Sequence, residues 1–84
     1  MTRLLRDREP LRLDTDANDE PRAFVWCGRP QRIVSIWNRW RTQLDWWDAA
    51  INRDYFQVST DTGLLVVLYR EQGTGQWFLE RVYD

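Results

Sequence analysis

From Ile33 to Trp47 the chain reads Ile-Val-Ser-Ile-Trp-Asn-Arg-Trp-Arg-Thr-Gln-Leu-Asp-Trp-Trp, and no other stretch restricts the fold as strongly. It holds four of the six tryptophans. Ile, Val and Trp carry strand rather than helix propensity, so an extended conformation is favoured over a helix. Alternation then assigns Val34, Ile36 and Trp40 to one face, and Ile33, Ser35, Trp37, Arg39 and Arg41 to the other. The first face is expected to be core. The second begins apolar and ends cationic, which marks a surface that is half-covered or used for contact.

Eighty-four residues suffice for one domain and leave little room for a second core. Cys27 is alone, so neither an intrachain disulfide nor a cysteine metal cluster can contribute. A chain of this size without cross-links must bury most of its large rings to offset the entropy of ordering. Most of the tryptophans are therefore expected inside, with one or two exposed.

The rest of the chain divides into short apolar runs separated by turn clusters. Residues 1–8 show no clear period and are expected to be frayed, leaving residues 9–84 as a single β domain. Strands are predicted at Glu9 to Thr15, Arg22 to Cys27, Gln31 to about Thr42, Tyr55 to Thr60, Leu64 to Arg70 and Gln76 to Tyr83. The connections are Asp16 to Pro21, Gly28-Arg29-Pro30, Asp61-Thr62-Gly63 and Glu71 to Gly75, each rich in turn formers. Between Leu44 and Asn52 the strand pattern lapses, and at most a short helical turn is expected near 45–51, with Asp45 as its N-cap. Six strands joined by short turns make an all-β antiparallel meander. Apolar residues on both faces should curl it into a small SH3-like barrel or half-barrel.

Catalytic chemistry is not readable in these residues. The chain has no His, which removes the commonest general base and metal ligand. Cys27, within an apolar strand, is expected to be a buried structural thiol. Gly73-Thr74-Gly75 lacks the Lys and following helix of a phosphate loop. Asp45, Asp48 and Asp54 cluster in sequence, but their spacing matches no cation loop, and Arg41 and Arg53 lie nearby to neutralise them. The expectation is a non-enzyme with no cofactor and no metal.

Aromatic and arginine interleaving is the stronger signal. All twelve basic residues are Arg, in a chain of net charge −1. Arg stacks on rings and forks onto carboxylates or phosphates, although GC-biased codon usage yields the same composition. Trp37, Arg39, Arg41, Trp46, Arg53, Tyr69 and Arg70 are the predicted binding residues. Rings and guanidiniums on one sheet face suit a protein partner, whose hot spots use these residue types. They also suit single-stranded nucleic acid, held by base stacking and phosphate neutralisation. The N-terminus lacks the apolar core of a signal peptide and no run is long enough to span a bilayer, so a cytoplasmic monomer without membrane contact is expected.

The motifs Arg39-Trp40-Arg41, Asp45-Trp46-Trp47, Arg53-Asp54-Tyr55-Phe56-Gln57-Val58, Asp61-Thr62-Gly63, Leu68-Tyr69-Arg70, Thr74 to Glu80 and Val82-Tyr83-Asp84 occur in this order. Together they resemble a small uncharacterised bacterial domain. From about Trp37 to Asp84 the chain is also similar to the extreme C-terminal segment of ImuB-type proteins, inactive relatives of Y-family translesion polymerases. That resemblance implies a role in DNA damage tolerance and no catalytic residue. This sequence shows no polymerase portion, so such a role would be expected to be played in trans or by an unrelated partner.

Overall fold

The computed structural model describes the backbone of residues 2–4, 10–46 and 49–83, and the side chains of residues 10–43 and 52–83. Seven strands are present: β1 (Thr2–Leu4), β2 (Leu13–Thr15), β3 (Pro21–Trp26), β4 (Arg29–Trp46), β5 (Ala49–Thr60), β6 (Leu65–Glu71) and β7 (Trp77–Tyr83). They form one antiparallel sheet in the order β1-β7-β6-β5-β4-β3-β2. From β2 to β7 every strand pairs with its successor, which is the expected meander. β1 adds to the outer edge of β7, with Thr2 opposite Tyr83 and Leu4 opposite Arg81. Part of the stretch expected to fray thus satisfies the open hydrogen-bonding edge of the last strand.

The sheet curls into a half-barrel. Leu11, just ahead of β2, bridges to Trp77 at the start of β7, its N–H donating to the Trp77 carbonyl at 2.7 Å. Inside lie Phe24, Val58, Val66, Leu68, Trp77, Leu79 and Val82, with Leu11, Leu13, Trp26, Ile33, Ile36 and Phe56 packed around them. The inward run continues on β7 from Leu79 to Val82 because a bulge leaves Glu80 extra: Leu68 opposes Leu79 and Val67 opposes Arg81.

Two expectations are corrected at the turns. The β3–β4 connection is the pair Cys27-Gly28, not Gly28-Arg29-Pro30, and both residues take left-handed φ, +52° and +72°. Such a two-residue turn matches strand twist, which lets Trp26 pair directly with Arg29. Cys27 is consequently exposed at the turn rather than buried in a strand. Among the described residues no helical turn forms near 45–51. β4 and β5 pair as far as Trp46 opposite Ala49, so the ladder satisfies backbone groups that one isolated helical turn would leave open. Trp47 and Asp48 lie outside the described residues. Among the described residues no helix is long and apolar enough to cross a membrane.

The third correction concerns the faces of β4. Ile33 opposes Thr60 and Ser35 opposes Ser59, so Val34 is an extra residue. Ile36 opposes Val58 and Asn38 opposes Gln57, so Trp37 is another. Each bulge shifts the alternation by one. Ile33 and Ile36 therefore share the core face, whereas Val34 and Trp40, expected inside, are exposed.

Candidate functional site

β4 is the element on which most of the predicted binding residues meet. Its second edge is open. β3 pairs with β4 only from Arg29 to Arg32, and Val34 bulges where that ladder would continue. Among the described residues no strand lies beside Ile33–Trp46 on the side away from β5. Both bulges sit in the first part of this edge. From Asn38 opposite Gln57 to Trp46 opposite Ala49 the ladder is regular.

The predicted residues do not form one strip. Trp37, extruded by its bulge, is 65% exposed. Arg39 opposes Phe56 and Arg41 opposes Asp54, which puts both arginines on the core-side face beyond the packed interior. Arg70, opposite Asp54 on the other side, shares that face. Arg53 and Tyr69 lie on the reverse face, where Tyr69 is buried. The backbone of Trp46 is in β4, and its side chain lies outside the described residues.

The core-side arginines are paired within the chain. Arg39 reaches Glu20 at 3.0 Å and lies over the Phe56 ring, 5.9 Å from its centroid. Arg41 Nε donates to Asp54 Oδ1 at 2.6 Å. That hydrogen bond, with the charge behind it, raises the Arg41 pKa further, so the guanidinium stays cationic. Arg70 pairs with Asp19 and lies 5.7 Å from the Trp77 ring centroid. Asp54 also accepts from Gln72, so its carboxylate is occupied by side chains of this chain. Asp19 and Glu20 are delivered by a tight turn in which Asp16 Oδ1 accepts from the N–H groups of Asn18 and Glu20. Nothing in the sequence marked these two acids as partners of arginines so distant along the chain.

The reverse face carries a row of rings across four strands. Trp40 stacks on Tyr55 with centroids 5.3 Å apart and an interplanar angle of 5°. Tyr55 lies 5.3 Å from Tyr69, and Tyr69 lies 5.2 Å from Phe78. Such pairs contribute about 0.5–1.5 kcal/mol each beyond their burial. Arg53 covers Tyr69 at 4.8 Å. Hydrogen bonding to Tyr55 raises the Arg53 pKa, partly offset by burial. Tyr55, Tyr69 and Phe78 are buried, whereas Trp40, at the edge of the row, is 42% exposed. Beside it Asn38, Gln57, Val67, Arg81 and Tyr83 line a shallow hollow of about 420 Å³.

Sequence reading missed Trp40 and Val34 as exposed groups because it assumed an unbroken period of two. One signal was present. Ile33 and Ile36 are three apart, which a strand with a single inward face accommodates only through an extra residue.

Residues 5–84 match a family described as a domain of unknown function, DUF6504. The chain belongs to that family. The match covers both the first hairpin and the strands that follow, in keeping with the resemblance to an uncharacterised domain. No curated protein and no solved structure matches the chain.

Proposed function

We propose that this DUF6504 domain is a non-enzymatic protein-interaction module that presents β4 to its partner. The observation that carries this reading is Trp37. Its indole is held out by a bulge, 65% exposed, with Val34 one bulge earlier at 58%. A chain of 84 residues that must bury rings to fold gains nothing internally from an extruded Trp. Trp and Arg are the residue types enriched in interface hot spots, and Arg39 follows Trp37 by two residues. The similarity of residues 37–84 to the C-terminal segment of ImuB-type proteins supports placing the partner in DNA damage tolerance.

Single-stranded nucleic acid is the second reading, favoured by two exposed indoles, Trp37 and Trp40, on either side of Arg39. Weighing against it, the net charge is −1 and Arg53 lies on the opposite face from Arg39, Arg41 and Arg70, so these cations form no single track for a phosphate backbone.

Co-purification from the native host with wild-type chain and with Trp37→Ser tests the first reading. The expected result is a partner retained by wild type and lost in the variant, with unchanged circular dichroism. Equal retention overturns it. Titration with labelled single-stranded DNA at low and high salt tests the second, for which salt-sensitive Trp quenching is required.

A further inference from the structure

The open edge of β4 specifies more than a general contact surface. We infer that Asn38–Trp46 takes up an extended peptide as an added strand, and that the peptide carries an acidic–aromatic–acidic core. This rests on the interaction-module reading and names the partner's chemistry.

Backbone geometry comes first. An unpaired strand edge offers a row of N–H and C=O groups, and a second strand satisfies them. Bulges blunt such an edge, yet both bulges of β4 fall before Asn38, and the nine residues that follow pair with β5 without a break. The regular part of the edge is the part left uncovered.

Side chains then set the class. Successive residues of an added strand face alternately with those of β4. The residue opposite Trp40 joins the reverse face, where the row Phe78, Tyr69, Tyr55, Trp40 ends on a half-exposed indole. A ring there extends the row by one strand. Its two neighbours fall on the other face, opposite Arg39 and Arg41. Both guanidiniums are largely exposed and retain free donors beside their present carboxylates. Those carboxylates, from Glu20 and Asp54, show the ligand type that the arginines accept. With each guanidinium in solvent, a second carboxylate can reach the donors that the present pair leaves over.

Charge argues against a second copy of this chain as the added strand. From Asn38 to Trp46 there are two Arg, at 39 and 41, and one Asp, at 45. Pairing two such edges about Trp40 would oppose Arg39 with Arg41 on the same face, which is unfavourable.

The test uses fluorescein-labelled octapeptides with the core Glu-Tyr-Glu between Thr and Val residues, titrated by anisotropy into the full chain. Controls replace both Glu by Lys, or N-methylate alternate backbone amides in each of the two possible phases. The expected result is saturable binding of the acidic peptide and slower amide exchange from Asn38 to Gln43 in the complex. Lys substitution and one phase of N-methylation should weaken binding at least tenfold. Trp40→Ala should weaken it about tenfold, and Glu20→Gln, by freeing Arg39, should tighten it several-fold. Equal binding of the Lys peptide, or of both N-methylated peptides, overturns the proposal, as does dimerisation through this edge. If no peptide binds while Trp37→Ser still loses its co-purified partner, strand addition fails and the interaction-module reading stands.

Discussion

At the scale of single residues, Trp37 and Leu68 are opposite cases. Leu68 is fully buried at the centre of the sheet, so Leu68→Ala should cost about 2–5 kcal/mol in urea denaturation, the lost transfer energy plus a cavity. Trp37 is 65% exposed, so Trp37→Ser should change stability by no more than about 0.5 kcal/mol while abolishing partner capture. A large destabilisation by Trp37→Ser would show the ring to be structural. Cys27 makes a separate prediction. It occupies a left-handed position next to Gly28, where Asn is favoured and most side chains cost about 1–2 kcal/mol. Cys27→Asn should recover about 0.5–1 kcal/mol, read as a rise of about 3–6 °C in Tm. Sequence alone had placed Cys27 in a strand, because its neighbour Trp26 continues the apolar pattern and nothing local distinguishes the last strand residue from the first turn residue.

At the scale of elements, the bulges of β4 decide which residues are offered to a partner. Deleting Trp37 brings Ile36 and Asn38 into direct succession opposite Val58 and Gln57, and every residue keeps its face. That deletion should therefore be tolerated, with stability within about 1 kcal/mol of wild type and a native-like spectrum. Deleting Val67 from β6 has no spare residue to absorb it and must turn part of the run Val66 to Tyr69 to the wrong face. It should cost several kcal/mol or prevent folding, roughly the loss of one or two core side chains. Equal tolerance of both deletions would show that the β4 register is not set as described. Each strand from β2 to β7 was legible from its composition and turn residues. The faces of β4 were not, because a bulge changes the phase of alternation without changing propensity. The extension of β4 and β5 to Trp46 and Ala49 was hidden by Asp45, Ala49 and Ala50, which favour strands weakly and are held there by cross-strand pairing.

At the scale of the whole molecule, a half-barrel closed by the Leu11–Trp77 bridge leaves β4, from Ile33 onward, with a neighbouring strand on one side only among the described residues. Its core follows from hydrophobic pattern, and so was largely readable. The candidate site was readable as a set of residue types but not as a surface, since Arg39, Arg41 and Arg70 lie on one face, Arg53 and Tyr69 on the other. The pairings Arg39–Glu20 and Arg70–Asp19 join positions far apart in the chain and arise only once the sheet curls. Amide hydrogen exchange of the free protein tests the central claim, an open β4 edge, most directly. From Asn38 to Gln43 the amides should alternate between slow exchange, where the N–H points to β5, and fast exchange, where it faces outward, while Val58 and Leu68 exchange slowly. Uniformly slow exchange from Asn38 to Gln43 would mean that the edge is already covered, and would contradict the account.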